Sequence, residues 1–294
     1  MPEKINYTCL HTHTRFCDGS GEVNDFCQSA AEKGLHSIGF SAHAPITKKT
    51  GFPDPCWREK EQRLDVYIET VLEAKHRWEG RLKVFLGLEV DYIRGLMGPA
   101  DSDYKDLGLD YIIGSVHFLL PPKGGPFCAD HRLAEFEKHV QEGYGGDITA
   151  AIEEYYANVR SMISLGGFDI LGHPDLIKKN NFGQRLFRED SDFYMKECGS
   201  AARQAGACGI TVEVNTGSII RGYLDTVYPS PLFLKCFREN NVPAVINADA
   251  HNPAHLGGHY EDARAALLAA GYDKMVLFEG RDNGKPVWST ADIT

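Results

Sequence analysis

KVFLGLEVDY, residues 83–92, is a short apolar run of Val, Phe and Leu that ends in carboxylates. A run of this length and composition suits a buried strand better than a helix. A carboxylate at the end of so apolar a strand needs a partner if it is buried. Glu89 could bridge two cations through its two oxygens. Asp91 points the same way along the strand and reads either as a supporting group or as a solvated rim residue.

The same form recurs outward in both directions. INYTCLHTH (5–13), HSIGFSAH (36–43), YIIGSVHF (111–118), FDILGHPD (168–175), GITVEVNT (209–216) and PAVINADAH (243–251) are further apolar runs with polar ends. Amphipathic stretches lie between them, at 23–33, 59–79, 149–165, 192–205, 231–240 and 254–270. Asn24, Asp192 and Pro231 read as helix starts. Gly34, Gly80, Gly166 and Gly206 read as helix stops. Alternating β and α segments argue for a parallel sheet with right-handed crossovers. Seven such units suggest closure into a barrel. The longest irregular stretch, Leu119 to Gly146 with its PPKGGP and GYGG, is expected to be a lid or substrate loop. KMVLFEGRDNGKPVWST (274–290) reads as strand, DNG turn and strand, closing off the barrel. Neither a linker nor an internal repeat divides the chain, so one domain over 1–294 is expected.

Composition narrows the function. The 294 residues are 43% apolar and 24% charged, an ordinary globular balance. A net charge of -10 disfavours duplex nucleic acid and anionic membranes as partners. It does not exclude a phosphorylated substrate, because divalent cations would invert the sign of an acidic pocket. No apolar run is long enough to span a membrane. No basic start leads into an apolar stretch, so no signal peptide is read and a soluble cytoplasmic protein is expected. The eight cysteines form no CxxC pair, and reduced thiols in the core are the better reading.

The histidines carry the chemistry. His11, His13, His43, His117, His173 and His251 fall at the C-terminal ends of runs, as do Glu89 and Asp249. In an α/β barrel these ends form one face, where active sites are built. Residues far apart in sequence would therefore meet, and mixed His and carboxylate donors suit divalent cations. His11-Thr12-His13 and Asp249-Ala250-His251 each put two donors on one side of a strand end. Asp18, in CDGSG, reads alone as a turn former. His36, His76, His139, His255 and His259 lie in or beside predicted helices and receive no role. His131, in the long loop, has a substrate role only as a minor possibility.

HTHTRFCDGS, FSAHAP, GLEVDY, GSVHF, GHPDLIKK, EVNT and NADAH, in this order over nearly the whole chain, resemble the polymerase-and-histidinol-phosphatase (PHP) superfamily, and most closely its stand-alone histidinol-phosphate phosphatases. The resemblance implies a distorted (β/α)7 TIM-like barrel and a trinuclear centre of Zn, Mn or Fe. His11, His13, Glu89 and Asp249 would hold the first ion. Glu89 would bridge to a second, completed by His117 and His173. Asp18, His43 and His251 would hold the third, with Asp18 standing where many members have His.

The expected activity is hydrolysis of L-histidinol phosphate, a step of histidine biosynthesis, by a metal-bound water held by Glu89 and Asp249. No Ser or Cys motif argues for a covalent intermediate. Arg160 and Arg221 are candidate phosphate ligands, because the guanidinium fork is bidentate and permanently charged; Arg15 is a weaker third. Glu213 and Asn215 read as substrate-binding, orienting or structural groups. The alternatives are a PHP phosphoesterase for another small ester, a nuclease, or a metal-binding module without catalysis.

Overall fold

A computed structural model describes residues 6–46 and 64–294. In chain order the strands are β1 (Thr8–Cys9), β2 (Ser37–His43), β3 (Lys83–Asp91), β4 (Tyr111–Ser115), β5 (Phe118–Leu119), β6 (Phe127–Cys128), β7 (Ile170–Leu171), β8 (Thr211–Asn215), β9 (Ala244–Asn247), β10 (Lys274–Asp282) and β11 (Lys285–Asp292). The helices are α1 (Val23–Lys33), α2 (Leu64–Arg77), α3 (Leu133–Tyr144), α4 (Ile148–Leu165), α5 (Asp192–Cys208), α6 (Gly217–Ile220), α7 (Pro231–Glu239) and α8 (Tyr260–Ala269).

Seven strands form one parallel sheet in the order β1-β2-β3-β4-β7-β8-β9. The two edges meet where Thr12 bridges Ala250 in parallel. His13 N–H donates to the Ala250 carbonyl at 2.8 Å, and Ala250 N–H to the His11 carbonyl at 3.0 Å. The expected seven-stranded barrel is therefore present and nearly closed.

Period-two alternation sorts the side chains into two cores. On β2 and β3, Ile38, Phe40, Ala42, Val84, Leu86, Leu88 and Val90 face outward, into the core shared with the helices. Phe85, Gly87 and Glu89 face inward. The lower interior is filled by Leu10, Phe85, Tyr111, Ile113, Ile170, Val245 and Phe278. Phe278 belongs to the terminal hairpin β10–β11, which stoppers this end. Asn283 and Gly284 at its turn both have positive φ, as a two-residue hairpin turn requires. The Tyr111 ring crosses the barrel at mid-height, and its hydroxyl donates to the Leu10 carbonyl. Room for the ring comes from glycine: a Cβ on Gly39 would come within 2.5 Å of it, and one on Gly87 within 2.4 Å.

Several element boundaries differ from the sequence reading. The stretch 119–146 is not irregular: β5 and β6 pair as an antiparallel hairpin and α3 follows. PPKGGP is only the hairpin connection, and Phe136, Val140 and Gly143 form the buried stripe of the amphipathic α3. Helix α1 starts one residue before Asn24, with Glu22 and Asp25 forming a capping box. The side chain of Asn24 instead accepts a hydrogen bond from the Trp78 indole. Ser191, not Asp192, caps α5. Helix α5 runs past Gly206 to Cys208 and stops at Gly209. Gly206 is small for another reason: a Cβ there would lie 2.4 Å from the Asn240 carbonyl. Helix α2 ends at Arg77, three residues before Gly80. The stretch 254–270 is split into a 3-10 turn (Pro253–His255) and α8. Cys56 and the expected helix start at 59–63 lie outside the described residues.

Gly87→Ala forces a methyl group into the Tyr111 ring and is expected to cost about 1–3 kcal/mol of folding stability, the usual range for overpacking. Urea unfolding measures this; an unchanged midpoint would remove the ring from this account of the barrel interior.

Candidate metal centre

Above Tyr111 the barrel interior turns polar. Glu89, buried, stands at its centre. Its Oε2 lies 3.3 Å from His11 Nε2, 3.4 Å from His13 Nε2 and 3.1 Å from His43 Nδ1. Its Oε1 lies 2.9 Å from His173 Nε2 and 3.7 Å from His117 Nε2. One carboxylate thus faces five imidazoles, divided between its two oxygens. Asp249 Oδ1 lies 3.3 Å from His13 Nε2 and 3.7 Å from His11 Nε2. Asp18 Oδ1 is 3.6 Å from His13 Nδ1 and 3.8 Å from His43 Nε2, and its Oδ2 is 3.0 Å from His251 Nε2. All nine expected ligands come together in overlapping groups able to hold ions.

The strand ends explain the convergence. His43 closes β2, Glu89 sits near the end of β3, and His117 and His173 lie just past β4 and β7. Asp249 follows β9 with a left-handed backbone, φ 49°. Asp tolerates that region better than most residues.

Further carboxylates orient the imidazoles. His11 Nδ1 lies 2.9 and 3.1 Å from the two oxygens of Glu213. Glu213 also accepts from His173 N–H at 2.7 Å, Asn215 Nδ2 at 2.8 Å and Asn247 Nδ2 at 2.9 Å. The fully buried Asp91 faces His117 Nδ1 at 2.6 Å. Such contacts set ring orientation and tautomer. Asp91 is therefore not a solvated rim residue, and Glu213 and Asp91 stand behind His11 and His117, outside the cavity lining.

The charges are mutually held. Burial opposes ionisation of Glu89 and Asp249, but the imidazoles, and Arg221 beside Asp249, hold both well below the usual carboxylate range. Burial would lower His117, yet Asp91 and Glu89 raise it to about 9. His11 is likewise raised, against burial, by Glu213, Glu89 and Asp249, and His251 by Asp18. Burial and the neighbouring His251 push His13 down.

The residues fit divalent cations. His11 Nε2 and Glu89 Oε2 are buried, face each other and make no hydrogen bond. Unsatisfied buried polar atoms aimed at one point are what a cation would satisfy. Imidazole and carboxylate donors suit Zn, Mn or Fe. Burial pushes the nearby Cys17 thiol up, and its Sγ lies 3.3 Å from His13 Nδ1, the ring nitrogen opposite the one that faces Glu89.

The candidate arginines separate. Arg221 lines the cavity, with Nη2 donating to Asp249 Oδ2 at 2.6 Å and Nη1 lying 2.9 Å from His251 Nδ1. Arg160 does not line it. It sits near the C-terminal end of α4, which runs back toward the lower end of the barrel, and it pairs with Glu197 of α5 at 2.5 Å. Arg15 pairs with Glu22 at the surface. His131 does not line the cavity either; its ring tilts against His139. Five lining residues escaped the sequence reading: Asp130, Leu176, Lys179, Tyr223 and Tyr228. Leu176 and Lys179 stand within GHPDLIKK, but no spacing rule marks any of the five.

The PHP domain family model matches residues 10–217. A Deinococcus radiodurans protein described as "Probable histidinol-phosphatase" is 30% identical over 92% of this chain and 96% of its own length. The Bacillus subtilis "Histidinol-phosphatase" is 29% identical over 85% of this chain and 96% of its own. A crystal structure of histidinol phosphate phosphatase from Lactococcus lactis, complexed with zinc, L-histidinol and phosphate, superposes with a TM-score of 0.64 at 16% identity, covering 95% of this chain and 100% of that one.

Metal ligation needs neutral imidazole. Because His11, His117 and His251 are raised, adding zinc to metal-free protein at pH 7 is expected to release protons, seen as a buffer-dependent heat in calorimetry. The sign for stability follows from the same shift. The His117–Asp91 pair contributes fully below pH 6.5 and is lost as pH rises through about 9. Metal-free protein should therefore weaken over that window. Zinc uptake without proton release would contradict these protonation states.

Proposed function

The chain belongs to the PHP domain family, and on that premise we propose that it is a metal-dependent phosphomonoesterase that hydrolyses L-histidinol phosphate to L-histidinol and phosphate. The observation that carries this reading is Glu89, with one oxygen turned to three imidazoles and the other to two. A carboxylate with imidazoles facing both of its oxygens would suit a polynuclear centre. The proposed ligand sets are His11, His13, Glu89 and Asp249 for one ion, Glu89, His117 and His173 for a second, and Asp18, His43 and His251 for a third. The relatives described as histidinol-phosphatases support the substrate.

When bound, the cations would polarise the phosphoryl group and make hydroxide available near neutral pH. The chain's own residues do the rest. Glu213 and Asp91 fix His11 and His117 in the rotamers that face Glu89. Arg221 holds Asp249 Oδ2, leaving Oδ1 toward His13. Its guanidinium, at the cavity wall, is also placed to offset charge on the phosphate oxygens. Leu176 and Tyr228 give the wall an apolar part that limits water. No side chain is needed as a nucleophile.

The cavity, about 230 Å³, matches a small ester better than a polymer. Other PHP chemistries, on a different small ester or on a nucleic-acid strand, are the competing readings. Among the described residues no helix is long and apolar enough to cross a membrane.

The test is a phosphate-release screen of metal-loaded protein over histidinol phosphate, other small phosphate esters and a nucleotide oligomer. Hydrolysis of histidinol phosphate in clear preference to the rest is expected; preference for the oligomer would overturn the reading. His117→Ala and Asp249→Ala should each abolish turnover with the fold retained. Glu213→Gln, which keeps the shape but loses the charge behind His11, should lower activity by about 10–100-fold. Near-normal turnover in any of the three removes that residue from the site.

A further inference from the structure

Four carboxylates line the cavity: Asp18, Glu89, Asp130 and Asp249. Three of them stand among the imidazoles and are occupied by the metal roles proposed above. Asp130 is different. It follows the β5–β6 hairpin, which is tied to the metal-centre strand where Ala129 N–H donates to the His117 carbonyl at 2.7 Å. Lys179 Nζ lies 3.4 Å from Asp130 Oδ2, and the Asp130 side chain lines the cavity at 29% exposure although Oδ1 itself is buried. A carboxylate oxygen accepts more than one hydrogen bond, so the single long contact to Lys179 leaves acceptor capacity at Oδ2. Lys179 is itself braced, with its ammonium bonded to the Asp130 carbonyl and 4.4 Å above the Tyr223 ring. It is thereby fixed as a support for Asp130.

The proposed substrate has two ends of opposite charge. Its phosphate belongs at the cations and Arg221. Its ammonium group, two carbons from the ester oxygen, would be repelled by both. Among the described residues that line this cavity, only Asp130 offers a negative charge not assigned to metal.

We propose that Asp130, positioned by Lys179, is the specificity-determining residue that accepts the substrate's ammonium group, so that the site selects phosphate monoesters of amino alcohols over uncharged alcohols. This rests on the phosphomonoesterase reading above.

The experiment compares the metal-loaded full-length protein with Asp130→Asn on two substrates: L-histidinol phosphate and its des-amino analogue, 3-(imidazol-4-yl)propyl phosphate. The wild type should favour the amine-bearing ester. In the variant, kcat/KM for histidinol phosphate should fall about tenfold or more, mainly through KM, as expected for loss of a charged hydrogen bond. The analogue should change by less than about twofold, and metal content should be unchanged. Equal losses on both substrates, or no loss on either, overturn the proposal. If the Asn variant does not fold, Asp130→Glu, which keeps the charge but moves it by one methylene, must show the same selective loss. The two readings fail separately. A wild type inert on histidinol phosphate but active on another ester removes the substrate assignment and this inference with it. A wild type active on histidinol phosphate, paired with an amine-blind variant comparison, removes the inference alone.

Discussion

A single buried carboxylate imposes the greatest demand on this fold. Glu89 lies inside a barrel whose strands are otherwise apolar, and an isolated charge there would be strongly unfavourable. Five imidazoles answer it, supplied by strands or strand ends on both sides of β3. Their orientation depends in turn on a second ring of acids, Glu213 and Asp91. Removing one member leaves its direct partners with buried charge less well matched. The centre is therefore a mutually dependent set, and cations would take the place of the protons that now hold it together.

The barrel delivers this set through layers. Alternation along β3 puts Phe85 in the floor, Gly87 under the Tyr111 ring and Glu89 in the centre, at successive inward positions. The floor is sealed from below by Phe278 of the terminal hairpin, which leaves the upper face as the open end. Rigid packing beneath the site suits a centre whose donors must stay within a few tenths of an ångström. The closing contact between Thr12 and Ala250 lies between the HxH and DxH segments themselves. The contact that closes the barrel therefore also sets the HxH and DxH donors side by side.

Net charge and local charge point in opposite directions. The chain is acidic overall, yet its proposed substrate is an anion. Much of the acidity in the site is committed to imidazoles and, by the proposal, to cations. The wall beyond them carries Arg221, Lys179 and Asp130, a mixed surface suited to a molecule with both a phosphate and an amine.

What the sequence by itself determined was the alternation of strands and helices, the polar residue at each strand end, and hence the barrel and eight converging donors; the ninth, Asp18, reads locally as a turn former and entered only through the family resemblance. Those signals are local: a period of two, a helical period, and position relative to an apolar run. Arg160 shows where locality stops. Its residue type suited phosphate, but the direction of α4 carried it to the lower end of the barrel and into a pair with Glu197. Asp130 and Lys179 show the converse, since neither ends a barrel strand, and only the packing of the β5–β6 hairpin against the turn after His173 brings them together at the cavity wall. The helix α3 was lost among the Gly and Pro of its neighbours, although its own apolar stripe was regular. Strand-end position is encoded along the chain and can be read there; which side chain faces which across a cavity is set by how separate elements pack, and that information exists only in three dimensions.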